Sequence, residues 1–169
     1  YGLVTGGLGM HYAGEHRGLA VIPASGGATE KQVRMIKEMG VTAIACTPSY
    51  ALRISEVWDD IDPDRFSNGG TMLKIGILGA EPWSEGLRKR LEEKLGIKAL
   101  DIYGLSEAMG PGVAMECIHQ SGLHVNDEAF LPEIIHPETL KNVEDGEEGE
   151  EVRVRTHHMD RSCSRRGIR

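Results

Sequence analysis

The sequence predicts an α/β fold in which helices flank a sheet of parallel strands. Short runs of β-branched and aliphatic residues alternate with longer segments of helical periodicity. Glycine or proline separates most of these elements from the next one along the chain. Strands and helices that alternate at this spacing form right-handed crossovers, so we expect a parallel sheet that is covered on both faces.

The first predicted helix covers 29–40 and follows a short apolar run at 19–23. Thr29 and Gln32 have the spacing of a capping box at its start. Gly40 is placed to end the helix in a left-handed conformation. Its apolar residues share one face: Val33, Ile36 and Met39.

Three strands and two further helices follow in alternation. The predicted strands are apolar runs, the first of which we expect to be buried: 41–47, 73–79 and 98–104. The helix after the first strand has Pro48 in its first turn, where no backbone N–H is needed. The helix at 84–96 ends at Gly96. Its leucines form a stripe four residues apart: Leu87, Leu91 and Leu95.

After residue 112 the pattern changes to short apolar runs interrupted by proline and by an acidic turn. We expect the runs at 131–135 and 150–155 to pair across that turn. The chain is therefore divided into three predicted parts: an α/β nucleotide- and acyl-binding subdomain that is incomplete at its N-terminus (1–112), a β-rich segment (113–152) and a basic, disordered tail (153–169).

The composition narrows the classes of function. Three cysteines in 169 residues favour a reducing, cytoplasmic setting, and no apolar run is long enough to span a membrane. A net charge of −7 disfavours nucleic acid as a partner. The tail holds six arginines but no aromatic residue that could stack on a base. Since the first residue is not methionine, we expect the chain to begin inside a longer protein.

The loops that follow parallel strands are where such sheets bind ligands. These loops are predicted at three places: 47–49, 79–82 and 104–107. A tyrosine ring at Tyr103 can stack on a base, and the Ser106 hydroxyl can bond a phosphate. The Glu107 carboxylate can hold a hard cation such as Mg²⁺. The alternative is a plain strand-to-loop junction with a buried tyrosine and exposed polar residues.

Four strings in the chain together resemble phenylacetate–coenzyme A ligases, which belong to the adenylate-forming superfamily of acyl- and aryl-CoA synthetases. The strings are YGLVTGGLGMHYAGEHRG, ACTPSYAL, GILGAEPWSEGLRKRLEEKLG and YGLSEAMGPGVAMEC. The resemblance covers residues 1–152 in order. It implies that 1–112 is part of the N-terminal domain of such an enzyme.

The resemblance also implies roles for individual residues. Tyr103 would pack on adenine, Ser106 would contact the α-phosphate and Glu107 would bind magnesium, with Ser106 and Glu107 as the catalytic pair. The implied nucleotide-binding residues are Gly79, Ala80, Glu81, Pro82, Asp101, Tyr103, Gly104 and Ser106. The implied residues beside the acid substrate are Thr5, Gly6, Gly7, Tyr103 and Gly104.

The chemistry that the resemblance implies has two steps. The carboxylate of phenylacetate or a related aryl acid attacks the α-phosphate of ATP, giving an acyl-adenylate and pyrophosphate. The thiol of coenzyme A then displaces AMP. Positioning and neutralisation of phosphate charge by Mg²⁺ and cationic side chains would carry the rate. A homodimer is a further implication, whereas nucleic acid and membrane are not expected partners.

The chain also departs from the family. The family's phosphate loop would precede residue 1, and its Arg-Tyr-Arg-Thr-Arg-Asp segment is replaced by RVRTHHMDRSCSRRGIR at 153–169. We therefore expect the isolated chain to be inactive as a ligase and its tail to be unrelated to the family. The alternative is a non-catalytic nucleotide- or aryl-acid-binding fragment, or an interaction fragment, of a truncated gene.

Other motifs support weaker interpretations. The glycines at 6–14 lack both a preceding strand and the last glycine of a dinucleotide fingerprint, so close helix packing is the better explanation. Cys117, His119 and His124 lack the paired spacing of a zinc site. Cys46 lies inside an apolar strand, which disfavours a nucleophile.

Two further features concern the predicted helix at 84–96 and the residue before it. The charged residues of this helix are expected to form a solvated face: Lys89, Glu92, Glu93 and Lys94. Trp83 is either part of the core or the lid of an aromatic pocket, and both interpretations stay open.

Overall fold

The computed structural model describes residues 5–64, 66, 70–106, 110–144, 146–147 and 149–155. The helices in this part of the chain are α1 (Thr5–His16), α2 (Thr29–Glu38), α3 (Pro48–Ile61) and α4 (Glu85–Leu95). The strands are β1 (Ala43–Cys46), β2 (Ile75–Gly79), β3 (Lys98–Leu105), β4 (Gly110–Glu116), β5 (Leu123–Val125), β6 (Phe130–Ile135) and β7 (Glu150–Arg155). The predicted α/β class is confirmed.

The main sheet has five strands in the order β1-β2-β3-β4-β5. β1, β2 and β3 are parallel, as predicted, whereas β4 and β5 add two antiparallel strands at one side. The sheet is therefore mixed. In its parallel part Cys46, Leu78 and Asp101 lie side by side, so the carboxyl ends of the three strands form one edge.

The core lies between one face of the sheet and the helices α2, α3 and α4. Its buried residues are Val33, Ile36, Ala51, Ile54, Val57, Trp58, Leu73, Leu78, Leu91, Leu95, Ile97 and Ala99. The prediction that both faces are covered holds at β3, where the consecutive residues Ala99 and Leu100 are both buried, but it is wrong at β1 and the start of β2. Ala43 and Ala45 point away from this core and are exposed, and the neighbouring Ile75 is 38% exposed. β1 is consequently a half-exposed edge strand rather than a buried one.

The predicted capping box of α2 is wrong. Thr29 is already the first helical residue and Ala28 is the N-cap, with no side-chain cap. Gln32 instead donates to the carbonyl oxygens of Ser25 and Gly27, both at 2.9 Å. Thr29 therefore cannot cap the helix, and its hydroxyl lies 3.2 Å from that of Tyr50.

The end of α2 follows the prediction only in part. Gly40 adopts the left-handed conformation, with φ of 61°, which confirms its role as the stop. Val33 and Ile36 are buried on the predicted face. Met39 is 62% exposed because the helix ends before it, so its placement on that face is wrong.

α3 and α4 begin within one residue of their predicted starts, and α4 ends at its predicted stop, whereas α3 extends three residues beyond the helical pattern of 48–58. Thr47 caps α3 by accepting a hydrogen bond from the backbone N–H of Tyr50 at 3.2 Å, and Pro48 follows. Ser84 caps α4 in the same way through Leu87, also at 3.2 Å. Gly96, with φ of 66°, ends α4. None of these four helices is both long and apolar enough to cross a bilayer.

The described residues before α2, which start at position 5, form one helix, α1, and no strand. The apolar run at 19–23 stays without regular structure. The glycines of α1 permit close packing, as predicted. A Cβ on Gly9 would lie 3.0 Å from the Pro111 ring, and one on Gly14 would lie 2.7 Å from Val21.

The segment after the main sheet forms a two-stranded antiparallel sheet of β6 and β7. Leu131 is opposite Val154 and Ile135 is opposite Glu150, which confirms the predicted pairing of 131–135 with 150–155. The two predicted boundaries both fall inside strands. The boundary at 112 lies in β4, so the main sheet continues past it, and the boundary at 153 lies in β7.

Candidate functional site

The loops at the carboxyl ends of the parallel strands are held together. We call residues 47–49, 79–82 and 103–106 the loop cluster. A carboxylate oxygen of Glu81 accepts a hydrogen bond from the backbone N–H of Ser49 at 2.5 Å, which joins the first two loops. Gly79 lies so close to β3 that a Cβ there would clash with the carbonyl oxygen of Ile102. The second loop therefore begins directly beside the strand that leads into the third.

Glu81 lies at the N-terminus of α3. Its carboxylate occupies the first turn, where the helix dipole favours negative charge and backbone N–H groups lack partners. Thr47 lies in the same turn. Its hydroxyl caps the helix and also forms a 3.1 Å hydrogen bond with the hydroxyl of Ser49. Polar groups of the two loops are thus directed at each other around one helix terminus.

Cys46 precedes this turn. Burial and the negative charge of Glu81 raise the pKa of the Cys46 thiol to about 12. The thiol therefore stays protonated at neutral pH and is a poor nucleophile. Its position in β1 agrees with the expectation that Cys46 is not catalytic.

The backbone of the second loop is strained at Ala80, which has φ of 69°. A non-glycine residue in this left-handed region costs of the order of 1 kcal/mol and persists only where the surroundings fix it. Here the surroundings are the Gly79 contact on one side and the Glu81–Ser49 hydrogen bond on the other. These two contacts support the loop on both sides of Ala80.

The third loop begins later than the sequence predicts. β3 continues through Leu105, so Tyr103 and Gly104 lie in the strand, and β4 follows in antiparallel pairing rather than a helix. The register shifts between Tyr103 and Gly104, where a Cβ on Gly104 would clash with Gly110. Tyr103 is 42% exposed, which contradicts the alternative of a buried tyrosine.

The remaining predicted residues are placed as follows. Ser106 is exposed directly after β3, and Glu107 lies outside the described residues. Thr5, Gly6 and Gly7 are the first residues of α1. That helix packs on β4, where Gly9 lies against Pro111, the residue paired with Gly104. The structure thus brings α1 to the same side of the sheet edge as the third loop.

Asp101 leads to two residues that the sequence analysis did not single out. Its backbone N–H donates to Glu116 at 2.8 Å. Glu116 in turn receives two hydrogen bonds from Arg88, at 2.7 and 3.0 Å. Arg88 and Glu116 are each only 8% exposed. A signal was present in the spacing, because Arg88 is three and seven residues from Leu91 and Leu95, on the apolar face of α4.

Trp83 contacts the same arginine. The guanidinium carbon of Arg88 lies 4.6 Å from the centre of the Trp83 ring, a cation–π geometry. The ring also packs against the core beneath the sheet. Of the two interpretations left open for Trp83, core packing describes its surroundings in this structure.

The predicted solvated face of α4 is wrong for two of its four residues. Glu92 accepts hydrogen bonds from the Ala99 N–H at 3.0 Å and from Gln120 at 2.7 Å. Lys94 forms a 2.5 Å ion pair with Asp59. Lys89 and Glu93 are exposed as predicted. Burial would raise the pKa of Glu92, but these hydrogen bonds and the charges of Lys98 and Arg88 lower it.

Potential metal ligands are dispersed over the part of the chain that the structure describes. It contains no group of three His, Cys, Asp or Glu residues arranged to hold a metal ion. Cys117 is half-buried, and His119 and His124 are exposed. The polar side chains of the loop cluster carry oxygen atoms only: Thr47, Ser49, Glu81, Tyr103 and Ser106. Such a donor set fits a hard cation rather than zinc.

Comparison with known proteins gives consistent matches. A family profile described as AMP-binding enzyme matches residues 3–161. The chain is 51% identical over 153 residues to a phenylacetate-coenzyme A ligase of Pseudomonas putida, covering 90% of this chain. It is 49% identical over 152 residues to the Escherichia coli K12 ligase of the same name, covering 89% of this chain. The chain spans about a third (34%) of the length of each of these relatives.

Solved structures show the same fold. A 2-hydroxyisobutyryl-CoA ligase in complex with 2-HIB-AMP and CoA matches 92% of this chain with a TM-score of 0.81 and 23% identity. The matched part is 33% of that protein. A long-chain-fatty-acid-CoA ligase from Archaeoglobus fulgidus matches 76% of this chain and 27% of its own, with a TM-score of 0.57 and 18% identity.

Proposed function

This chain belongs to the family of AMP-binding enzymes, and from that membership we propose that it forms the adenylate-binding part of a phenylacetate–coenzyme A ligase or of a ligase for a related aryl acid. The observation that carries the proposal is the loop cluster. Three loops from three parallel strands are joined at one sheet edge by the Glu81–Ser49 hydrogen bond and the Gly79–Ile102 contact. Ligands of parallel sheets bind at such an edge.

The nucleotide part of the proposed site is built on Tyr103. Its exposed ring offers a stacking surface for adenine, and the Ser106 hydroxyl, which follows directly, offers a donor to the α-phosphate. The backbone of 79–82 lines the other side of the base. Because contacts support this loop on both sides of Ala80, little ordering is needed when the nucleotide binds.

The acid part of the proposed site lies beside α1. Gly6 and Gly7 in its first turn are half-buried and leave space for an aromatic ring. Gly104 is near them through the contact of α1 with β4. Phenylacetate and related acids differ by small apolar groups, which such a pocket distinguishes by only ~1–3 kcal/mol. We therefore propose aryl acids as the substrate class and do not single out one acid.

The proposed reaction uses ATP and coenzyme A as co-substrates. The acid carboxylate attacks the α-phosphate and pyrophosphate leaves, and the thiol of coenzyme A then displaces AMP from the acyl-adenylate. Glu107 would hold Mg²⁺, which neutralises phosphate charge when it is bound. The chain's own contribution is to orient the carboxylate and the phosphate for in-line attack.

Calorimetric titration with a non-hydrolysable phenylacetyl-adenylate analogue and Mg²⁺ tests the proposal. We expect saturable binding that is weakened by Tyr103→Ala, since base stacking is lost. The losses measured for base stacking on aromatic side chains are ~1–3 kcal/mol. Tyr103→Phe is the matched control, because it keeps the ring and should bind almost as well. A folded chain that binds no analogue would contradict the proposal and favour a non-catalytic interaction fragment.

A further inference from the structure

One edge of β3 is completed by side chains instead of a neighbouring strand. The pairing of β3 with β4 starts at Ile102 and Met115, and β4 ends at Glu116. The backbone of Ala99 and Asp101 therefore lies beyond the last pair with β4. Buried N–H and C=O groups need partners, and an unpaired one costs of the order of 1–3 kcal/mol.

Four side chains supply these partners, and we call them the polar clasp: Arg88, Glu92, Glu116 and Gln120. Glu92 accepts from the N–H of Ala99 at 3.0 Å. The Ala99 carbonyl accepts from Arg88 and from Gln120, each at 2.7 Å. Glu116 accepts from the N–H of Asp101 at 2.8 Å.

The centre of the clasp is a buried ion pair. Arg88 and Glu116 form two parallel hydrogen bonds, the fork geometry that fixes both groups in one plane. A further hydrogen bond of 2.8 Å joins the Nε of Arg88 to Glu85. Since a leucine at position 88 would simply extend the stripe of Leu91 and Leu95, the apolar face of α4 does not require this charge. The ion pair instead holds the backbone of β3 in place.

The clasp also contacts residues next to the loop cluster in two places. Asp101, held by Glu116, is two residues before Tyr103 in the same strand. Trp83, stacked on the Arg88 guanidinium, directly follows Pro82. One ion pair therefore connects the end of the second loop with the strand that carries the third.

We propose that Arg88 and Glu116 are positioning residues for the adenylate site, which set the Tyr103 strand and the 79–82 loop in their relative positions. The inference rests on the proposed function, because it concerns the ligand of that site. Neither residue belongs to the loop cluster, so both act through Asp101 and Trp83.

The first test measures geometry without ligand. Hydrogen exchange of the backbone amides is compared between the unmodified chain, Glu116→Leu and Glu116→Gln. The leucine variant removes the acceptor for the Asp101 N–H, so that amide should exchange at least about tenfold faster, the factor expected from ~1.4 kcal/mol. The glutamine variant keeps a carbonyl oxygen there and should exchange more slowly than the leucine variant. Amides in the middle of α3 report that each variant is folded.

The second test measures binding of the phenylacetyl-adenylate analogue to the same proteins and to Arg88→Met and Arg88→Lys. We expect Arg88→Met and Glu116→Leu to weaken binding by at least about tenfold, with partial retention in Arg88→Lys and Glu116→Gln. Arg90→Met is the matched control, since Arg90 is exposed on the same helix and should bind like the unmodified chain. Trp83 fluorescence should shift in Arg88→Met and stay unchanged in Arg90→Met.

The outcomes separate this inference from the proposed function. Unchanged exchange at Asp101 in folded Glu116→Leu overturns the inference, whether or not the analogue binds. Unchanged affinity in folded Arg88→Met and Glu116→Leu also overturns it and leaves the proposed function standing. Absence of binding by the unmodified chain contradicts the proposed function, and with it a positioning role toward that ligand. If Glu116→Leu and Arg88→Met do not fold, Glu116→Gln and Arg88→Lys are compared with the unmodified chain by the same two measurements. Unchanged exchange and unchanged affinity in both would then overturn the inference.

Discussion

At the scale of single residues, two glycines determine how closely the loops approach. Gly79 faces the carbonyl of Ile102 and Gly104 faces Gly110, and neither place has room for a Cβ. Both have ordinary negative or extended φ angles, so space rather than backbone conformation requires glycine there. Ala80 shows the opposite situation, since it has a side chain but a left-handed backbone.

Gly79→Ala should therefore disrupt the loop cluster. The added methyl would push the 79–82 loop away from β3, and we expect the free energy of unfolding to fall by ~1–3 kcal/mol, the usual cost of overpacking. Urea unfolding followed by circular dichroism measures this change. Gly86→Ala is the matched control, because a Cβ there meets nothing closer than 3.7 Å and lies in helix α4. It should be neutral or stabilising by ~0.5–1 kcal/mol, and an equal loss in both variants would contradict the explanation.

At the scale of secondary-structure elements, local signals predicted the elements that position the site. β1, β2 and β3 were predicted from apolar runs, α3 from its helical pattern with Pro48, and α4 from its leucine stripe and Gly96. These signals lie within a few residues of each other, so a single sequence contains them. The caps Thr47 and Ser84 were not predicted.

The failures concern contacts that the local pattern does not specify. Gln32 bonds the preceding loop rather than completing a box, and β4 pairs antiparallel with β3. Arg88 and Glu116 are 28 residues apart, and only the fold brings them together. The loops of the candidate site were predicted by topology, whereas the clasp behind them depends on contacts that no local pattern shows.

The stability of α4 against β3 should depend on pH through Glu92. Hydrogen bonds from Ala99 and Gln120 lower its pKa in the folded state below that of the unfolded chain. The corresponding stabilisation is therefore complete above the ordinary glutamate pKa of about 4.3 and is lost as pH falls below it through the folded pKa. Glu92→Gln should reduce the difference in unfolding free energy between pH 7 and the acid range.

Glu93→Gln provides the comparison, since Glu93 is exposed on the same helix. Urea titrations at a series of pH values measure the difference for all three proteins. The same acid dependence in the Glu92 and Glu93 variants would show that Glu92 does not contribute in this way.

At the scale of the whole molecule, one face of the parallel sheet is exposed at β1 and at the start of β2. Ala43, Ala45 and Ile75 form an apolar strip on the side opposite the core. Apolar sheet surface next to the open edge of β1 is a common cause of association between chains.

We expect the chain to self-associate in a concentration-dependent way through this strip. Ile75→Lys places a charge at its centre and should shift the weight-average mass measured by light scattering towards the monomer. Met72→Lys is the control, because Met72 is 59% exposed and precedes β2. A monomer at high concentration for the unmodified chain would contradict the expectation.

Amide chemical-shift mapping with the phenylacetyl-adenylate analogue shows whether the loop cluster binds an aryl-adenylate. We predict saturable shifts in residues 47–49, 79–82 and 103–106, with little change in α2. Shifts confined to other surfaces, or the absence of saturable shifts in a folded chain, would exclude an adenylate site at the loop cluster.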